Sequence, residues 1–206
     1  MPRASRTFLF ALFCAAIAPT EPGRAADEPT VVDFENELQP MLTRFGCNSG
    51  SCHGKARGQG GFQLSLLGFD PQQDFDAIVK EGRGRRVFAG APENSLLLTK
   101  PTAKVPHGGG KRLESGGPEY QALLNWVRQG LPRKSPHAAA LESITVIPAA
   151  AMLAPEQTQT LMVTAKYSDG SARDVTRLTA FQSNEAPIAA VDEFGQVTAS
   201  SATATP

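Results

Sequence analysis

The chain has 206 residues, 41% of them apolar and 19% charged, with 20 basic residues against 20 acidic ones. This is an ordinary globular composition, long enough for one medium or two small domains. A formal net charge of zero offers no bulk attraction to nucleic acid or to an anionic membrane, so neither is expected as a partner.

The first 26 residues read as a secretory signal peptide. Arg3 and Arg6 make a basic start, and Phe8 to Ala18 is an apolar run too short to span a bilayer. Pro19 ends the run, and Gly23-Arg24-Ala25-Ala26 offers small residues for cleavage. The alternative is an uncleaved anchor. Phe13 precedes Cys14, where a lipoprotein signal wants a small residue, so no lipid anchor is expected. Cleavage removes Arg3, Arg6, Arg24 and Glu21, which leaves 17 basic and 19 acidic residues and a net charge of −2. It also removes Cys14, leaving Cys47 and Cys52 as the only cysteines. The expected location is the periplasm or the outside of the cell, with no membrane insertion after cleavage.

Residues 27 to 132 are Gly-rich and read as short helices between loops. Asp33 to Phe45 places Phe34, Leu38, Met41, Leu42 and Phe45 on one helical face. Pro40 should kink or restart that helix. A second helix is predicted over Gln72 to Glu81, and a third over Pro92 to Lys100. The fourth starts at Pro118, carries Tyr120, Leu123, Leu124 and Val127 as its apolar stripe, and stops at Gly130.

The first two helices flank Cys47-Asn48-Ser49-Gly50-Ser51-Cys52-His53. This segment keeps the Cys-His junction of the c-type haem attachment signature C-x-x-C-H, but four residues separate the thiols instead of two. Five positions on a regular helix turn through about 140°. A helix could not present both thiols to one porphyrin edge, so the spacer must bulge. Its four small residues suit that, with Gly50 free to take a positive φ. Three readings of the segment stay open. One is covalent haem c, with Cys47 and Cys52 bonded to the haem vinyl groups and His53 bound to iron. The second is a Cys47–Cys52 disulfide beside a bystander His53. The third is a zinc site, which would need His107 or His137 to help complete four ligands.

An iron bound by His53 needs a partner on its other face or an open position. Met41, Met152, Met162 and His107 are the candidates. His107 is preferred, because Pro106 fixes the backbone before it and Gly108 to Gly110 let that backbone approach a flat ligand. The alternative is a histidine on a surface loop. Apolar walls could come from Phe62, Leu64, Leu66, Leu67, Phe69, Leu96 to Leu98 and Trp126, although a domain of this size has one core that claims the same residues. Arg83, Arg85 and Arg86 could pair with haem propionates, or form a solvated basic loop.

Leu131 to Ala140, with two prolines and a run of alanines, reads as a linker, placed at 133 to 140. Beyond it the apolar period changes from 3.6 to 2. Strands are predicted at Ile144 to Ile147, Leu161 to Tyr167, Ile188 to Val191 and Gln196 to Ala199, with a turn at Ser168 to Ser171.

Several segments resemble known families. Gly46-Cys47 to His53-Gly54, Gly61-Phe62-Gln63-Leu64, Val87 to Leu97, Val105-Pro106-His107 and Leu124 to Gly130 occur in the order found in planctomycete-type cytochrome-c-like domains. Those domains stand near the start of large secreted bacterial proteins. The resemblance covers about residues 33 to 132. In related cytochromes a Met-Pro-Pro segment supplies the distal ligand. Here Val105 occupies the Met place and His107 follows Pro106, so the resemblance implies His107 as the replacement. Residues 141 to 206 resemble a bacterial group 2 immunoglobulin-like domain through Ala165 to Ser171, Asp174-Val175-Thr176, Ser183-Asn184 and Ala190 to Ala199, with Phe181 where a Trp is common. The last strands of that sandwich, about 20 residues, are missing. The chain therefore reads as the front part of a longer protein.

The expectation is a multidomain chain: a signal peptide at 1–26, a small all-α cytochrome-c-like haem domain at 27–132, a linker at 133–140, and an incomplete all-β immunoglobulin-like sandwich at 141–206. The function implied is an exported electron-transfer or haem-sensing module on an immunoglobulin-like spacer. Its cofactor would be covalent haem c with its iron, held by Cys47, Cys52, His53 and His107, and its partner an unspecified redox protein. The rivals are a non-haem adhesion or scaffold module with a Cys47–Cys52 disulfide, and an open-face haem peroxidase. No carboxylate pair, nucleophile–base arrangement or phosphate loop is visible, so the expectation is not an enzyme.

Overall fold

Helices come first along the chain and strands second. The computed structural model describes residues 31–135 and 138–201, so the expected signal peptide and His137 lie outside the described residues. The described residues hold four α-helices, α1 (Gln39–Arg44), α2 (Pro71–Val79), α3 (Leu96–Thr99) and α4 (Pro118–Arg128), then six strands. No helix among them is long and apolar enough to cross a membrane.

The helical segment predicted over 33–45 restarts beside Pro40, as that proline predicts. Asp33 caps its start by accepting a hydrogen bond from Asn36 N–H at 2.8 Å. Phe34–Leu38 then winds as a wide π-type turn, in which Gln39 N–H donates to Phe34 O, before α1 begins. Pro40 has no N–H to donate and would clash with the carbonyl four residues back in a continuous α-helix. The restart avoids both penalties. In α2, Asp70 caps the start by accepting from Gln73 N–H at 3.0 Å, and Pro71 fills the first turn. The helix predicted over 92–100 is also divided. Pro92–Asn94 is a short 3₁₀ turn, Ser95 is extended, and only Leu96–Thr99 is α-helical. Ser95 Oγ there accepts from Phe88 N–H at 2.9 Å. Helix α4 buries its predicted stripe and also Trp126, and Gly130 ends it at φ +83°.

These helices close one apolar core around Phe34, Leu38, Leu64, Ile78, Leu98, Trp126 and Val127. Phe34, Phe75 and Trp126 form a triangle of rings, with centres 5.4, 5.6 and 6.1 Å apart. The indole N–H donates to Pro132 O at 2.8 Å, so the large ring is buried with its one polar group satisfied.

The second half forms two antiparallel three-stranded sheets. One has the order β1 (Leu141–Ile147), β3 (Met162–Tyr167), β4 (Ala172–Asp174). The other has the order β2 (Thr158–Thr160), β6 (Gln196–Ala199), β5 (Ala189–Val191). Strand β3 buries Val163, Ala165 and Tyr167 and leaves Met162 and Lys166 outside, as its alternation predicts. Strands β2 and β4 carry no apolar alternation, which is why sequence periodicity misses them. Strand β1 is exposed along all seven residues, although Ile144 and Val146 pair in register with the buried Ala165 and Val163.

The two halves touch. Arg44, at the end of α1, has a side chain only 4% exposed, and its Nη1 lies 3.6 Å from Glu119 Oε1. Its Nη2 donates to Glu193 O at 3.1 Å, and its guanidinium lies over the rings of Phe45 and Phe194. Arg177 donates to the same Glu119 oxygen at 2.7 Å. The expected linker is tied to the first helical turn: Ser135 N–H donates to Asp33 Oδ2 at 3.0 Å, and Asn36 Nδ2 donates to Ala139 O at 2.9 Å.

Candidate functional site

Helix α1 runs directly into the Cys47–His53 segment. Gly46, at φ +68°, reverses the chain after Phe45. The next residues form successive turns rather than a helix, so the spacer does bulge. Cys47 N–H donates to Leu42 O at 2.8 Å, His53 N–H to Cys47 O at 3.0 Å, and Gly54 N–H to Ser49 O at 2.9 Å. Asn48 is buried, and its Nδ2 donates to Thr43 Oγ1 at 2.9 Å. The loop folds back so tightly that a Cβ on Gly54 would lie 1.9 Å from Asn48 O. Gly50, the residue that sequence reasoning selected, has no positive φ and room for a side chain. The glycines that the loop requires are Gly46 and Gly54.

The loop forms one wall of a cavity of about 670 Å³, within the roughly 300–1,000 Å³ of pockets that hold small molecules and cofactors. Met41, Leu42 and Phe45 line it from α1, Phe62 and Leu64 from the segment after the motif, and Leu96 and Leu97 from α3. Cys47, Cys52, His53 and His107 all line it. Some predicted wall residues are elsewhere. Trp126 and Leu98 belong to the core, whereas Leu66, Leu67 and Phe69 are exposed, Phe69 at 90%. Of the other candidate distal ligands, Met41 lines the cavity, whereas Met152 and Met162 are exposed on the β half.

The two histidines share one arrangement. His53 Nδ1 lies 3.0 Å from Phe62 O, and His107 Nδ1 lies 2.8 Å from Gly110 O. A carbonyl only accepts, so each Nδ1 carries a proton, and in the neutral ring the lone pair is then on Nε2. This is the arrangement by which a ligating histidine is oriented from behind. The rings are nearly parallel, 12° apart, with centres 6.3 Å from each other. Burial, above all, lowers the pKa of His53, and the nearby His107, Arg86 and Lys100 charges add to this. The neutral imidazole that a metal needs is thereby favoured.

Cys47 and Cys52 are free thiols. Burial pushes the Cys47 thiol up to about 11, with Arg112 acting in the opposite sense. Among the described residues, no three His, Cys, Asp or Glu side chains converge in a way that could hold a metal ion. Two thiols and two imidazoles thus line one cavity.

No protein-family model matches the chain, and no curated protein matches it either.

Proposed function

We propose that residues 27–132 form a c-type haem-binding, electron-transfer module of the cytochrome-c-like kind, working in the periplasm or outside the cell. Residues 141–206 act as its immunoglobulin-like spacer. What carries this reading is the closeness of His53 and His107, each held through Nδ1 by a backbone carbonyl, in one cavity that both thiols also line.

Cys47 and Cys52 would hold haem c through thioether bonds, and His53 and His107 would bind its iron. Bound haem would supply reversible one-electron exchange between ferric and ferrous iron. The chain's own contribution is placement and exclusion. Phe62 O orients the His53 ring and Gly110 O orients the His107 ring. Leu42, Phe45, Leu64, Leu96 and Leu97 wall the site with apolar groups. Two imidazoles favour a lower potential than an imidazole with a thioether, because methionine ligation raises it. An iron bound by both His53 and His107 would favour electron transfer over peroxidase chemistry.

The test is expression of the mature chain with a cytochrome c maturation system. One haem should survive denaturing electrophoresis, and Cys52→Ala should abolish or greatly reduce it. The ferric protein should be six-coordinate and low-spin, with no sulfur-to-iron charge-transfer band, and His107→Ala should turn it high-spin. A mass equal to the haem-free chain less two hydrogens would instead establish the disulfide. A wild-type spectrum in His107→Ala would leave the second face open and favour the peroxidase or sensor.

A further inference from the structure

Four cationic side chains line the cavity, Arg85, Arg86, Lys100 and Arg112, and no aspartate or glutamate does. They are not equivalent. Arg86 is buried in the fold itself. Its Nη1 and Nη2 donate to Ala77 O and Gly61 O, and its guanidinium lies 4.5 Å from the Phe62 ring centre. Arg85 is exposed, with only a long bond, 3.4 Å, to Gly60 O.

Lys100 and Arg112 differ from both. Each gives one hydrogen bond to the loop that carries His107. Lys100 Nζ donates to Pro106 O at 3.1 Å, and Arg112 Nε donates to Gly109 O at 2.8 Å. The two carbonyls flank His107. Neither cation forms an ion pair with a carboxylate among the described residues. An ammonium has three donors and a guanidinium five. Most of their hydrogen-bonding capacity is therefore open toward a cavity whose walls are otherwise mainly apolar. The occupant that matches such a wall has an apolar body and acidic groups at its edge.

We propose that Lys100 and Arg112 recognise the carboxylates of the bound ligand, and through their second bonds place the His107 loop. On the haem reading, on which this inference rests, those carboxylates are the two propionates. Charge-assisted bonds to carboxylate are the strong ones. Gly108 and Gly110 have no atom near the place of a Cβ, so the loop is held chiefly by its backbone bonds. A carboxylate that orders the Lys100 and Arg112 side chains would order Pro106 O and Gly109 O with them. Both residues are thus positioning residues for His107.

The full chain, prepared without haem, is titrated with metal-free protoporphyrin and, separately, with its dimethyl ester, following porphyrin fluorescence. The free acid should bind at least about tenfold more tightly, the scale of one charged hydrogen bond. Lys100→Gln and Arg112→Gln should each reduce that preference, leaving ester affinity and circular dichroism unchanged. Lys100→Arg should keep it. Equal binding of acid and ester, or a preference that survives both Gln variants, overturns the proposal and leaves the porphyrin cavity standing. Binding of neither compound overturns the haem reading and this inference with it. In the haem-loaded chain, the Gln variants should move part of the ferric population from low-spin to high-spin. An unchanged spectrum overturns the positioning role.

Discussion

Substituting Gly54 by alanine tests the loop geometry at one point. The new Cβ would lie 1.9 Å from Asn48 O, 2.6 Å from Asn48 C and 3.0 Å from Ser49 O, whereas ordinary contacts start at 3.4 Å. The obstacle is backbone, with no rotamer to turn away. Something must therefore move by roughly 1.5 Å. That movement strains the bond from Leu67 N–H to Asn48 O and the bond from Gly54 N–H to Ser49 O. Overpacking plus the loss of these bonds predicts a destabilisation of about 2–4 kcal/mol. A shift of that size also exceeds the tolerance of about 0.5 Å for a preorganised site, so covalent haem should be largely lost. Gly50→Ala is the control in the same loop. Its Cβ would touch only Leu66 Cδ1 at 3.9 Å, and Gly50 has no positive φ, so a change within about 0.5 kcal/mol is expected. Urea midpoints and haem per chain measure both effects. Equal midpoints and equal haem content in the two variants would refute the account of the loop.

Other outcomes follow from the same geometry. With its thiol pushed up to about 11, Cys47 in the haem-free chain is about 0.1% thiolate at pH 8, against about a quarter for a free cysteine near 8.5. The higher nucleophilicity of a more basic thiolate returns part of that. Alkylation at Cys47, mapped by mass spectrometry, should be about ten- to twentyfold slower than in the urea-unfolded chain; equal rates would contradict its burial. At Glu119, burial raises the carboxyl's pKa, but the Arg177 hydrogen bond and the Arg177 and Arg44 charges outweigh it, so the folded value lies below the ordinary 4.5. That contribution to stability is complete above about pH 4.5 and is lost as pH falls through the folded value. Glu119→Gln should flatten the stability curve in that window, and an unaltered acid limb would show that Glu119 does not link the two halves. Residues 141 to 206 expressed alone should aggregate, because β1 is exposed throughout and carries Leu141, Ile144 and Ile147. A monomeric segment with a cooperative thermal transition would refute that.

Much of this protein is written locally. Pro118, the stripe from Tyr120 to Val127 and Gly130 define α4 before any packing is considered, because first-turn prolines, 3.6-residue periodicity and C-terminal glycines act within one element. The change to period 2 marks β3, and the Cys-His junction marks the chemistry. Pro40 announces its own restart, whereas the division at Ser95 is more than periodicity alone shows, since an apolar stripe can continue across a break in the hydrogen-bond ladder. Tertiary structure decided the rest. The packing of α1, α3 and α4 brings the loop carrying His107 to within 6.3 Å of the His53 ring, although the two residues stand far apart in the chain. Packing also makes Trp126 core and Leu97 cavity wall, although both are simply apolar in sequence. It holds Arg86 in the fold and leaves Lys100 and Arg112 open to the cavity. A residue's type and spacing determine what it can do locally, but which distant groups it faces is set only when the helices close on one core.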